Sequence, residues 1–471
     1  MARVAVIGGG VTGMATALLL ARRAHRVTVF EQDGPRPAPA CVADDFGDAW
    51  RPRVPQAIQP HALLGPARAV LRDHAPDVYA EMRRLGAWEQ HEFDWFGTHP
   101  PHRPGDDRLV LVRLRRIVLE RALRTAVEGQ HGVETRTGTA VRGLLSEAGP
   151  DGVTRVTGVR CDEGPVAADL VVDAAGRRSP VPRWLTALGA RPPATEHHRV
   201  GLAYACRWYR MPAGRGAPAA RAPYTSAARY AGAIAFPSDN GLLGVALVCP
   251  TDDPTLPALR DPRVFDDLAR MFPSSGAWLS ARPQPVGGVH VMAGLDNRWT
   301  PSADAEGPVV TGLVRAGDAL VHTNPTLTQG LTLALWSAER IAVTAEAAAD
   351  PVAFAREWDA WTQRALKPWY DHQVAADRDS QARLTGTAAP PADPEALLRA
   401  ARFPCALEDP VVMRAWAQAR HLLRTPEEAF GADDVRRRLE GWLAARGGVL
   451  PDPAGPAREE WEAVVAASRP R

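Results

Sequence analysis

Three groups of residues in this chain have the types and spacing needed to hold a long, anionic cofactor. The first is Gly8-x-Gly10-x-x-Gly13, set between the apolar run Val4–Ile7 and an apolar stretch that starts with Val11 and Thr12. Here the first glycine allows a tight turn, the second lets the backbone approach a pyrophosphate, and the third lets helix and strand pack closely. The pyrophosphate then meets free N–H groups at the positive end of a helix. Glu31, followed by Gln32, stands about 20 residues on, where an acid accepts a ribose 2′-hydroxyl and repels a 2′-phosphate. The second group lies far downstream: Gly317-Asp318, then Pro325, Thr328 and Gly330-Leu331. An acid at a strand end can take a ribityl hydroxyl, and a helix opening at Gly330 aims its positive end at a flavin pyrimidine ring, where charge gathers on reduction. The third is Asp173-Ala-Ala-Gly176-Arg-Arg-Ser179 after an apolar strand. The first group alone is compatible with NAD or FAD; the second selects FAD.

The elements that must position these groups follow from local pattern. Val4–Ile7, a helix over 14–23 and Val27–Phe30 ending at Glu31 make a βαβ unit. Helical patterning recurs over 59–85 and 114–127. From about Gly201 to Met292 the texture turns to strands (201–209, 232–236, 242–249, 286–292), with Ser238-Asp-Asn-Gly241 as a hairpin signal. Leu313–Ala316 is a further strand, Gly330 opens a long helix, and 351–471 is helical. Six tryptophans there are expected to pack between helices. Four segments result: 1–180, the first part of a cofactor domain with an insertion near 76–105 facing substrate; 181–300, an antiparallel substrate domain; 301–350, the last part of the cofactor domain; and 351–471, a helical C-terminal region.

In order and distance the three groups resemble the FAD-dependent aromatic hydroxylase superfamily over roughly residues 1–350. Val54-Pro-Gln-Ala57…His61-Ala-Leu-Leu64 and Asp169-Leu-Val-Val-Asp173…Ser179-Pro180 are similar to the bacterial olefin epoxidases of polyether biosynthesis. The resemblance implies an α/β fold with a discontinuous Rossmann-type FAD-binding domain, an inserted antiparallel substrate sheet and a helical C-terminal region. It implies that Arg51 and Arg116 contact the flavin; without it, Arg113, Arg115 and Arg116 read as a solvated basic helix face. The implied activity is a flavin monooxygenase, in which reduced FAD and O2 form a C4a-hydroperoxide that passes one oxygen to an apolar alkene or aromatic natural-product intermediate. NADH or NADPH supplies electrons, directly or through a flavin reductase. Two positions depart from the superfamily: Thr328 stands where glycine is usual, and Val321 precedes His322 where histidine is common. Trp95, Phe96, Tyr204, Trp208 and Phe236 are candidates for the substrate pocket, or for the core. No catalytic acid or base is assigned, since oxygen transfer to an alkene requires none. Two other readings keep FAD: a dehydrogenase or oxidase, and a redox-silent scaffold that guides cyclisation.

Composition narrows the field. The chain has 471 residues, 45% hydrophobic and 23% charged, with a formal net charge of +2, which disfavours disorder and gives no basic field for nucleic acid. No stretch approaches the roughly 18 apolar residues of a membrane span. The glycine-rich start is unlike a secretory leader, so a cytoplasmic setting is expected. Five scattered cysteines and loop histidines such as His99, His102, His197 and His198 form no metal-binding pattern. The single lysine, Lys367, restricts any lysine-dependent chemistry, including flavin-dependent halogenation, to that one position.

Overall fold

A computed structural model describes residues 1–34, 42–44, 54–94, 99–149, 152–212, 224–386 and 393–468. The organising element is a five-stranded parallel sheet of β1 (Arg3–Ile7), β2 (Arg26–Glu31), β3 (Val133–Thr137), β4 (Leu170–Asp173) and β5 (Leu313–Arg315), in the order β5-β4-β1-β2-β3. Strand β1 takes the centre because its residues are apolar on both faces, as a doubly covered parallel strand must be. The period-2 alternation then sorts its side chains. Val4 and Val6, with Val29, Val172 and Val314, face the helices, whereas Ala5 and Ile7, with Phe30, Val171 and Leu313, face a small antiparallel sheet. That sheet comprises Val141–Ala148, Thr154–Cys161 and Gly164–Ala167.

Helix α1 (Val11–Ala21) is buried at every residue but Thr12. It lies between the sheet and α3 (Gly330–Thr344), while α2 (Arg116–Glu128) packs beside it. A helix so enclosed must be apolar all round, and VTGMATALLLA is. The stretch from 59 to 85 forms the strand His61–Leu63 and two helices, Gly65–His74 and Pro76–Arg84. His61–Leu63 belongs to a three-stranded sheet with Val110–Leu114 and Trp88–His91.

The second large sheet is antiparallel, with Thr225–Ala227, Gly232–Pro237, Leu242–Pro250, Leu202–Arg210 and Gln284–Ala293 side by side. Ala205, Tyr209, Ala233, Ala235, Val245 and Leu247 join a core with the C-terminal helices. Leu202, Tyr204, Val248 and Met292 form a separate cluster with Leu384 of α4 (Lys367–Leu384). The C-terminal tryptophans Trp358, Trp369, Trp442 and Trp461 are buried between helices. Among the described residues no helix is long and apolar enough to cross a membrane.

Candidate cofactor site

Strands β1, β2, β4 and β5 run parallel, so their carboxyl ends lie along one edge of the sheet, where open α/β sheets bind ligands. Gly8 leaves β1 with φ +104°, and a Cβ on it would lie 2.6 Å from the Ala174 carbonyl oxygen. A Cβ on Gly13 would sit 1.9 Å from the carbonyl oxygen of Gly8, so the turn from strand to helix tolerates only glycine there. Gly10 caps α1 with no side-chain hydrogen bond, which leaves the helix N–H groups free for an anion. Glu31 Oε2 accepts from the Gly9 N–H at 3.0 Å and Oε1 from the Asp33 N–H at 2.9 Å. The acid thus shapes the glycine turn and also lines the cleft.

The distant motif closes on the first. Gly317, at φ +55°, approaches Thr12 so nearly that a Cβ would come within 2.3 Å of Thr12 Oγ1. Asp318 follows, half-buried, and its carboxylate has no hydrogen-bond partner among the described residues. Further on, Thr328 adopts a left-handed backbone (φ +61°, ψ +22°). That conformation explains why glycine suits the position: a β-branched residue is strained there. Thr328 preserves the turn that leads into α3, whose capping residue Gln329 makes no side-chain cap.

One cleft of about 300 Å³ joins these pieces. Gly8, Gly10, Val11, Thr12, Glu31 and Gln32 line one part of it, with Thr139, Ala140 and Val141 beside them. Gly176, Arg116 and Asp318 line it further along, then Pro325, Thr328, Gly330 and Leu331. Gly13, Asp173 and Gly317 do not line the cleft; they support it. Buried Asp173 accepts from Ser179 Oγ at 2.6 Å and from the Ala175 N–H at 3.1 Å, holding the turn that carries Gly176. Arg51 lies outside the described residues, as do Trp95 and Phe96.

The basic trio does not form a solvated face. Arg113 and Arg115 are buried, the first donating to Gln90 Oε1 and standing 4.6 Å over the Phe236 ring, the second pairing with Asp239 at 2.8 Å. Of the three, Arg116 alone lines the cleft, its Nε held by Glu120 at 2.7 Å. Tyr204, Trp208 and Phe236 are buried and are not among the cleft-lining residues. The Tyr204 hydroxyl donates to Asn324 and the Trp208 indole to the Ile58 carbonyl.

Sequence reasoning missed several lining groups. His61 Nδ1 lies 2.7 Å from the Gln59 carbonyl oxygen, and His322 Nδ1 lies 2.7 Å from that of Asp296. A carbonyl only accepts, so each Nδ1 carries a proton, and Nε2 of each ring has no hydrogen-bond partner among the described residues. Burial and the nearby Arg116 push the His61 pKa down to about 4. Met292, Leu295 and Ala334 add apolar surface. The Thr323 hydroxyl is buried beside Gly330 with no hydrogen-bond partner among the described residues. The residues at the cleft therefore suit FAD: two uncapped helix ends, a carboxylate and a hydroxyl with no hydrogen-bond partner among the described residues, and glycines where side chains would intrude.

Comparison with known proteins agrees with this arrangement. The family described as FAD dependent oxidoreductase matches residues 3–41. PqsL, a probable FAD-dependent monooxygenase from Pseudomonas aeruginosa, superposes with a TM-score of 0.61 over 82% of this chain and 98% of its own, at 16% identity. The chain has the fold of an FAD-dependent monooxygenase. The flavin-dependent brominase Bmp2 shares that flavoprotein fold, with a TM-score of 0.57 over 94% of this chain and 99% of its own, at 15% identity. In sequence, the protein Rv3254 of Mycobacterium tuberculosis is 27% identical over 361 residues, 70% of this chain and 69% of that protein. One flavoprotein fold therefore carries more than one chemistry, and the site must decide between them.

Proposed function

We propose that this chain is a flavin-dependent monooxygenase that places one atom of O2 on an apolar alkene or an aromatic ring, by epoxidation or hydroxylation. The observation that carries the reading is a single cleft running from Glu31 past the unpartnered Asp318 carboxylate to the start of α3 at Gly330. When bound there, reduced FAD supplies the electrons that activate O2. The protein's own part is positional. Glu31 and Gln32 hold the adenosine end, Gly10 and α1 the pyrophosphate, Asp318 and Arg116 the ribityl chain, and the start of α3 the charge of the reduced ring. Met292, Leu295, Leu331 and Ala334 keep water from the reacting end, and the neutral His61 ring offers an acceptor to orient a ligand. Tyr204 packs behind Met292 and Leu295 in one buried cluster, whereas Trp208 and Phe236 belong to other clusters.

A halogenating reading calls for a lysine at the cleft. Lys367, the only one, is held by Asp371 at 2.6 Å and Glu196 at 3.2 Å, and it is not among the lining residues. Electrons come from NADH or NADPH, either directly or through a separate flavin reductase. The test has two stages. The purified protein should be yellow and release FAD, identified by mass. With a reductant and 18O2, product from an alkene or aromatic panel should carry one labelled oxygen. Hydrogen peroxide with desaturated product would instead mark a dehydrogenase or oxidase, and an absence of flavin turnover would mark a redox-silent scaffold.

A further inference from the structure

The segment from Asn324 to Gln329 has two sides. Pro325 and Thr328 line the cleft, whereas Asn324, Thr326 and Gln329 turn toward α4 in the C-terminal region. There Trp369, Gln373 and Asp377, spaced four apart, share one face of the helix. Asp377 is buried at 1% exposure. Its Oδ1 accepts from Asn324 Nδ2 at 2.7 Å, Gln373 Nε2 at 3.0 Å and Thr326 Oγ1 at 3.2 Å, and its Oδ2 from Asn297 Nδ2 at 2.8 Å. The partners are tied in turn: Asn297 Oδ1 accepts from the Asn324 N–H at 2.6 Å, and Gln329 Nε2 donates to Gln373 Oε1 at 3.0 Å and to the Trp369 carbonyl at 3.2 Å.

We propose that Asp377 is a positioning residue for the flavin: its carboxylate, collecting four donors, fixes the 324–329 segment so that Pro325, Thr328 and the start of α3 face the cofactor. The donor count makes this role specific to a carboxylate. An amide in its place would turn an N–H group toward another donor, whichever way it flips. A segment with a left-handed threonine needs such an external hold, because its local preference opposes the turn. The inference rests on the FAD reading of the cleft, but its test does not depend on it alone.

Three variants of the full-length protein, Asp377→Asn, Gln373→Ala and Val374→Ala, would be compared by FAD titration and by amide hydrogen exchange. Val374 is a buried core residue on the same helix and controls for general destabilisation. Asp377→Asn should raise the FAD Kd about tenfold or more, and Gln373→Ala by a smaller factor. Both should speed exchange selectively over residues 323–331, while Val374→Ala should do neither. Values within about twofold of the parent for Asp377→Asn, or the same changes in Val374→Ala, would overturn the proposal. Should Asp377→Asn fail to fold, parental values for Gln373→Ala overturn it equally. If the parent itself binds no FAD, the flavin reading falls, and the exchange pattern decides whether Asp377 holds the segment.

Discussion

Asp318 brings into the cleft a carboxylate that has no hydrogen-bond partner among the described residues and only the charge of Arg298 nearby, a costly arrangement unless a ligand supplies hydroxyl donors. Asp318→Ala should therefore weaken FAD binding by about tenfold or more, read by flavin fluorescence, with little change in melting temperature. Unchanged affinity would remove the residue from the site. Thr328 makes the opposite kind of prediction. Left-handed backbone costs a non-glycine residue about 1–2 kcal/mol, and glycine returns about 0.5–1 kcal/mol of that as chain entropy. Thr328→Gly should be neutral or stabilising by up to about 1 kcal/mol in urea titration, whereas most substitutions destabilise. His61 sets a pH window. Its folded pKa, about 4, lies below the ordinary histidine value of about 6.5, so the stability it confers is present above 6.5 and lost as pH falls toward 4. In His61→Gln that part of the pH–stability curve should flatten.

At the scale of elements, a short helical turn, Glu92–Asp94, is fastened to the end of the C-terminal helix Pro410–Arg420. Buried Glu92 meets Arg420 at 3.1 Å and His421 at 2.8 Å. Burial alone would raise its pKa, but these two neighbours bring it down to about 2. The stability it contributes is complete above the ordinary glutamate value of about 4.3 and lost as pH falls toward 2. Glu92→Gln should cost about 3–5 kcal/mol at pH 7 and shrink that acid limb. The cofactor half of the site was legible in the sequence because its glycine turn, helix and acid act within one βαβ unit, with strand ends bringing the rest to the same edge. The other half was not. Arg113 and Arg115 read as solvated because Gln90, Phe236 and Asp239, which bury them, are contributed by separate strands and turns. Tyr204, Trp208 and Phe236 could be placed on strands but not on a face, since facing depends on which layers cover the sheet.

For the molecule as a whole, the principal core runs without a break from Val4 to Leu422 and takes in Trp358, Trp369 and Tyr370 of the C-terminal helices. The first two of those helices, Pro351–Ala365 and Lys367–Leu384, are part of that core, not an appendage to it. A chain ended after Asp350 should fail to retain FAD and should aggregate, as followed by gel filtration and absorbance; a soluble yellow product would show that the helices are dispensable. The parallel sheet carries one more consequence, in time instead of space. β1 and β2 are made within the first 31 residues, yet β4 gains its outer neighbour only when β5, at 313–315, has been made. From the completion of β4 at Asp173 until β5 is made, that open strand edge can pair with another nascent chain. Expression yield should therefore respond to chaperone supply and to growth temperature more than the finished protein's stability would suggest.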